Sequence, residues 1–193
     1  ISINNRNSMA KNPRSLTEKK LSNQCVYEGD FLHMHQDKVV MPDGTVFVRE
    51  YVTHPGGVVI IPLLANGDLV LERQHRYPLH QNFYELPAGK LDNNEDPLAS
   101  AKRELLEETG YIASEWRYIT TLYPCIGYSN EKQMYFLAEG LDLRNSCPDD
   151  GENIEIFTLP FAEAIEWVRT GRITDSKTVS GLFWAEKLIH GNW

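Results

Sequence analysis

The sequence predicts a mixed α/β domain, a β-sheet sandwiched by helices, preceded by an N-terminal layer of antiparallel strands. Three observations predict it. Short β-rich runs separated by turn signals fill most of the chain from Cys25 to Leu86. A capped amphipathic helix follows Asp96-Pro97, with more strands after it. Two further helical patterns then close the chain.

The elements follow in order. Ile1 to Ala10 is polar and Asn-rich, with Met9 a candidate natural start, and residues 1–21 are set aside as a flexible segment. Residues 22–54 form the strand layer. Asp43-Gly44 separates two of its runs as a hairpin turn, and Val46, Val48 and Tyr51, mixed with Arg49 and Glu50, mark a half-exposed strand. Residues 55–193 form the main domain. Gly57 to Leu64 is almost wholly apolar and reads as a buried strand; Asn66-Gly67 turns it back into a hairpin partner, Asp68 to Arg76. Phe83 to Leu86 is a short strand ending at Pro87-Ala88-Gly89. The helix that follows has Asp96 as N-cap, Pro97 at its first position and Gly110 as C′ residue. Trp116 to Tyr123 and Gln133 to Ala138 are strands around a loop, Pro124 to Lys132, and Ile154 to Leu159 is another. The closing helices are Phe161 to Thr170 and Ser176 to His190, the second with Val179, Leu182, Phe183 and Leu188 on a buried face.

Composition narrows the function. The 193 residues are 41% hydrophobic and 24% charged, which suits a globular chain. A net charge of -8 argues against a general nucleic-acid binder, so an anionic ligand would need a local cation cluster or a metal. Cys25, Cys125 and Cys147 are odd in number and form no CxxC pair, so neither a disulfide framework nor a zinc site is expected. With no membrane span and no signal-peptide pattern, the expected location is the cytoplasm.

The chemistry concentrates in Gly89 to Tyr111. On a helical projection Leu98, Ala101, Leu105 and Leu106 share an apolar arc. Glu104, Glu107 and Glu108 share a neighbouring arc outside the core, and Arg103 borders it. Glu104 and Glu108, four apart, stack one above the other and repel by a few tenths, about 0.2–0.5 kcal/mol in an isolated helix. A divalent cation reverses that sign, and carboxylate oxygens suit Mg²⁺ or Mn²⁺. Arg103 can hold one glutamate by a bidentate pair. An acidic helix face is ordinarily just solvated. Here the spacing decides otherwise: Gly89, five residues, Glu95, seven residues, Arg103-Glu104, then Glu107-Glu108 and Gly110. Seven specified positions at roughly one in twenty each make a chance occurrence on the order of 10⁻⁷ for this chain.

This pattern resembles the Nudix box, with Tyr111 where a smaller aliphatic is usual and Glu85-Leu86-Pro87-Ala88-Gly89 leading in. Three further segments resemble the ADP-ribose pyrophosphatase branch of Nudix hydrolases: Arg73-Gln74-His75-Arg76-Tyr77, the loop Tyr123 to Lys132, and Gly171 to Lys177 opening the last helix. The Pro-Trp-Pro-Phe motif of NADH-specific branches is absent. The resemblance implies a Nudix α/β/α sandwich that hydrolyses the diphosphate of ADP-ribose to AMP and ribose 5-phosphate. It implies Mg²⁺, replaceable by Mn²⁺, on Glu104, Glu108 and the Ala88 carbonyl, and a homodimer built through the strand layer. Glu131, on a loop given freedom by Gly127, is expected to position or deprotonate the attacking water, with Glu107 as its rival. Arg76, Arg49 and Gly127 are the expected substrate-binding residues. The alternatives are another nucleoside diphosphate sugar, a diadenosine polyphosphate, or a non-catalytic nucleotide sensor; an intact carboxylate set argues against the sensor. His33 and His35 share a strand face but lack a third metal ligand, and Trp116, Trp167 and Trp184 read as core.

Overall fold

The computed structural model describes residues 15–92, 94–144 and 153–191, so Cys147 lies outside the described residues. The chain divides after Thr53 into two compact units. The first holds β1 (Lys19–Glu28), β2 (His33–Val40) and β3 (Val46–Thr53) in one antiparallel sheet of order β1-β2-β3. Gly44 turns β2 into β3 at φ +89°, a conformation that favours glycine, and Asp43 Oδ1 accepts a hydrogen bond from the Thr45 amide at 3.0 Å. β1 starts inside the segment set aside from the sequence, with Lys19 paired to Val40 and Lys20 to Val39. All ten of its residues are exposed, so no alternation of buried and exposed positions was there to be read. His35 stacks on Tyr51 at 5.4 Å, and no group of three or more His, Cys, Asp or Glu suited to a metal occurs among the described residues.

The second unit contains β4 (Gly57–Pro62), β5 (Asp68–Arg76), β6 (Gln81–Glu85), β7 (Ala88–Lys90), β8 (Tyr111–Leu122), β9 (Gln133–Leu143) and β10 (Ile154–Pro160). Its helices are α1 (Pro97–Thr109), α2 (Phe161–Arg169) and α3 (Ser176–His190). The strands divide between two sheets, β7-β4-β9-β8 and β10-β5-β6. β4 and β9 run parallel and the other pairs antiparallel, the mixed arrangement expected.

The hairpin expected between β4 and β5 does not form. Only an isolated bridge, Leu63 to Leu69, joins their ends. The reason lies in β4 itself: all six residues are buried, because it is paired along both edges and covered on both faces. Val58 and Ile60 pack with Ala101 and Leu105 of α1 and with Phe136. Val59 and Ile61 pack into a second cluster with Leu71, Leu86, Tyr135 and Leu182 of α3. Each such side chain contributes about 1.5–3 kcal/mol by leaving water, so this strand is fixed more firmly than any loop around it. In α3, Leu182 and Ala185 are buried as the helical period requires, but Phe183 is 45% exposed, one residue off that face. Trp116 and Trp167 are partly buried and pack against the two clusters. Among the described residues no helix is long and apolar enough to cross a membrane.

Candidate active site

The N-terminus of α1 is set by Asp96, whose Oδ1 accepts from the amides of Leu98 and Ala99, both at 3.1 Å. Gly110 ends the helix at φ 76° and donates to the Leu106 carbonyl. Ala101 and Leu105 bury the apolar arc, which fixes the helix rotation and turns the glutamates toward β7.

Arg103 is the hub of the acidic face. Its Nε and Nη2 donate to Glu95 Oε1 and Oε2 at 3.1 and 3.0 Å, so the bidentate pair falls on Glu95, ahead of the helix, rather than on a helix-face glutamate as expected. Its Nη1 lies 3.0 Å from Glu104 Oε1 and 2.9 Å from Glu107 Oε2. One guanidinium therefore holds three carboxylates in a fixed array. The Arg103 hydrogen bonds hold the Glu95 carboxyl down at about 2, and those of Glu95 and Glu107 push the Arg103 pKa up.

Glu104 and Glu108 meet the strand before the helix. A Cβ on Gly89 would lie 1.8 Å from Glu104 Cδ, so the carboxylate occupies the space that this glycine leaves open. Glu108 Oε2 accepts from the Ala88 amide at 3.1 Å. Glu108 is only 6% exposed, deeper than its expected place outside the core, because that amide draws its carboxylate against the β7 backbone. Two carboxylates thus converge on Ala88-Gly89. Oxygen donors of this kind fit Mg²⁺ or Mn²⁺, and Mg²⁺ is commonly held by one or two carboxylates with water and phosphate oxygens. The donor set fits the expected ion.

The loop between β8 and β9 carries Gly127 and Glu131. The Asn130 side chain accepts from the His54 amide at 2.8 Å, and the Lys132 carbonyl accepts from the Gly57 amide at 2.9 Å. Gly57 is in register with Lys90 of β7 on one side and Gln133 of β9 on the other, so Glu131 and the box strand flank the same end of β4. Glu131 Oε1 accepts from Gln133 Nε2 at 2.9 Å, and Gln133 Oε1 accepts from the Tyr135 hydroxyl at 3.2 Å. Gly127 is exposed, and a Cβ there would meet nothing within 4 Å.

Arg76, at the end of β5, donates from Nε and Nη2 to Glu85 at 2.7 and 2.6 Å. Lys177 pairs with the same carboxylate and, at 2.9 Å, with Asp175. Thr178 Oγ1 accepts from the Leu86 amide at 2.9 Å and donates to Asp175 Oδ2 at 2.7 Å. A cleft of about 310 Å³ opens between Tyr123, Pro124, Gln133 and Tyr135 on one side and Ser176, Lys177 and Ser180 on the other. Arg49 belongs to the first unit, paired with Glu18 at 2.7 Å.

The structure therefore brings Ala88, Arg103, Glu104, Glu107 and Glu108 together and places Glu131 at the neighbouring strand end. Reasoning from the sequence singled out no role for Glu85, Gln133, Asp175 or Lys177. Glu85, Asp175 and Lys177 lie in segments marked by resemblance and Gln133 just beyond one, and pairings between side chains of separate segments leave no periodic trace.

The chain is similar to proteins of known family. The NUDIX domain family matches residues 53–180. A methanol dehydrogenase activator of Bacillus methanolicus is 34% identical over 84% of this chain and 89% of its own. An ADP-ribose pyrophosphatase of Bacillus subtilis is 34% identical over 86% and 90%, and a GDP-mannose pyrophosphatase of Escherichia coli is 35% identical over 77% and 83%. A crystal structure of an ADP compounds hydrolase superposes with a TM-score of 0.83 over 92% of this chain and 97% of that one, at 22% identity, a likeness of fold.

Proposed function

The chain belongs to the Nudix family, and from that premise we propose that it is a Mg²⁺-dependent hydrolase that splits ADP-ribose into AMP and ribose 5-phosphate. The observation that carries the reading is the convergence of Glu104 and Glu108 on Ala88-Gly89, with Arg103 fixing the array. The Glu104 and Glu108 carboxylates and the Ala88 carbonyl would hold the ion. When bound, the ion would neutralise diphosphate charge and lower the pKa of water. The chain's own residues do the rest. Arg76, with a side chain 41% exposed above the nearly buried Glu85, takes a phosphate oxygen. Glu131 orients the attacking water and accepts its proton, held in place by Gln133, while the exposed Gly127 backbone offers a contact to substrate. Glu107, tied to Arg103, is the rival base.

ADP-ribose is preferred because the Bacillus subtilis relative named for that substrate aligns over most of both chains. The GDP-mannose pyrophosphatase relative supports a second reading, another nucleoside diphosphate sugar. A panel of ADP-ribose, NADH, ADP-glucose, GDP-mannose and diadenosine polyphosphates in Mg²⁺ separates them; the highest kcat/KM on any compound but ADP-ribose overturns the first.

We also propose a cytoplasmic homodimer formed through β1–β3. In that sheet Val26, Tyr27, Met34, Phe47 and Val48 are at least 36% exposed, an apolar surface that a second copy would cover. A monomer by light scattering at micromolar concentration would refute the dimer.

A further inference from the structure

The last helix opens on a lysine that the proposed chemistry does not use. Lys177 is ion-paired with Glu85 and lies 2.9 Å from Asp175 Oδ2, the carboxylate that caps α3. Glu85 is also gripped by Arg76 through two hydrogen bonds. The exposures rank these groups by depth: the side chain of Glu85 is 2% exposed, that of Lys177 12% and that of Arg76 41%. The carboxylate thus sits beneath two cations, one within the fold and one at the rim. Burial opposes its ionisation, but the two cations outweigh burial and hold its pKa below the ordinary glutamate value.

Lys177 is not a loose surface lysine. Thr178, fully buried, links the Asp175 cap to the Leu86 amide, in the same turn that leads to Ala88. The start of α3 is thereby tied to the strand end that carries the carboxylates' backbone partner. Arg76 and Lys177 stand against Glu85 and Asp175, and Glu72, in register with Glu85 and fully buried, adds to the field that holds Arg76. A guanidinium that is the sole counter-ion of a buried carboxylate is hard to draw away, since removing it leaves a buried charge uncompensated. A second cation changes that.

We propose that Lys177 is a positioning residue that frees Arg76 for the substrate diphosphate, by keeping Glu85 compensated when the guanidinium turns outward to phosphate. This rests on the reading of Arg76 as the phosphate ligand. The rival account is a structural ion pair holding α3 to β6, which would lower stability without a selective effect on KM.

The test is steady-state kinetics with ADP-ribose in saturating Mg²⁺ on Lys177→Met, Lys177→Arg, Glu85→Gln, Glu85→Gln/Lys177→Met and Arg76→Ala, with thermal melts of each. Lys177→Met is expected to raise KM about tenfold with kcat within about threefold, because Arg76 stays clamped on Glu85. Lys177→Arg, which keeps the charge, stays within about threefold of the parent KM. In the Glu85→Gln background nothing remains to compensate, so adding Lys177→Met changes KM by less than about twofold. A KM for Lys177→Met within about twofold of the parent overturns the proposal, as does a Lys177→Met effect that persists undiminished in the Glu85→Gln background. If Lys177→Met does not fold, Lys177→Gln takes its place in both backgrounds, with the same expected rise in KM and the same refuting results. An unchanged KM in Arg76→Ala removes the phosphate reading and this inference with it. A raised KM in Arg76→Ala beside an unchanged one in Lys177→Met removes the inference only.

Discussion

Replacing Gly89 by alanine probes the geometry of the carboxylates with the smallest possible change. The new Cβ would stand 1.8 Å from Glu104 Cδ and 1.9 Å from Oε1, whereas ordinary contact begins at 3.4 Å. The carboxylate must retreat by about 1.6 Å, the difference of the first and last of those distances. Gly89 does not require a left-handed φ, so the backbone itself tolerates alanine. Glu104, with a side chain 13% exposed and paired with Arg103, must move away from the new Cβ on β7. Metal ligands tolerate roughly ±0.2 Å, and a misplacement of about 1 Å at a catalytic centre costs about 10²-fold. Gly89→Ala is therefore expected to raise the half-activating Mg²⁺ concentration at least about tenfold and to lower kcat/KM at least about 10²-fold. The melting temperature should fall by no more than about 4 °C, as a cost near 1 kcal/mol implies for a chain of this size. The assay is AMP release across a Mg²⁺ titration, paired with a thermal melt. A variant with the parent's Mg²⁺ dependence and rate would show that Glu104 against Gly89 does not form the ion site.

Glu108→Gln keeps an oxygen to accept from the Ala88 amide but loses the charge; the rate should drop at least about 10³-fold while the melt shifts by only a few degrees, and a rate near the parent's would remove Glu108 from the ion site. Glu131→Gln should cut kcat about 10²-fold or more with little change in KM or Mg²⁺ affinity; if it is nearly unchanged while Glu107→Gln is inactive with metal still bound, Glu107 is the base. The depressed Glu95 carboxyl gives a pH test: its folded pKa, about 2, lies below the unfolded value of 4.5, so its contribution to stability is full above the unfolded pKa and is lost as pH falls toward the folded one. Chemical unfolding of the parent and Glu95→Gln should therefore differ most above that upper value and converge near the lower; a gap independent of pH would contradict the Arg103 pairing.

The box helix was legible because its signals are local. Asp96, Pro97 and Gly110 fix its ends, and Leu98, Ala101 and Leu105 fix its rotation, so the directions of Glu104 and Glu108 followed from the spacing alone. The pairing of β4 was not legible. Its apolar run announced a buried strand, but its neighbours, β7 and β9, are chosen by packing on both faces rather than by the turn at Asn66-Gly67. Only the start of β1, Lys19 to Leu21, fell in the segment set aside, because a strand with every residue exposed shows no alternation. The burial of Glu108 depends on the Ala88 amide, and that of Glu85 on two cations from distant segments. Long-range compensation of this kind is invisible to periodicity, which sees charge only as exposure.

If Glu104 and Glu108 hold an ion needed to split a nucleoside diphosphate sugar, turnover depends on that ion. One measurement addresses it directly: products formed from ADP-ribose by the parent chain in Mg²⁺, then in excess EDTA, then with Mg²⁺ restored. AMP and ribose 5-phosphate are expected in equal amounts, with no turnover in EDTA and recovery on adding Mg²⁺ back. Full turnover in EDTA, or no AMP from ADP-ribose in Mg²⁺, would contradict it.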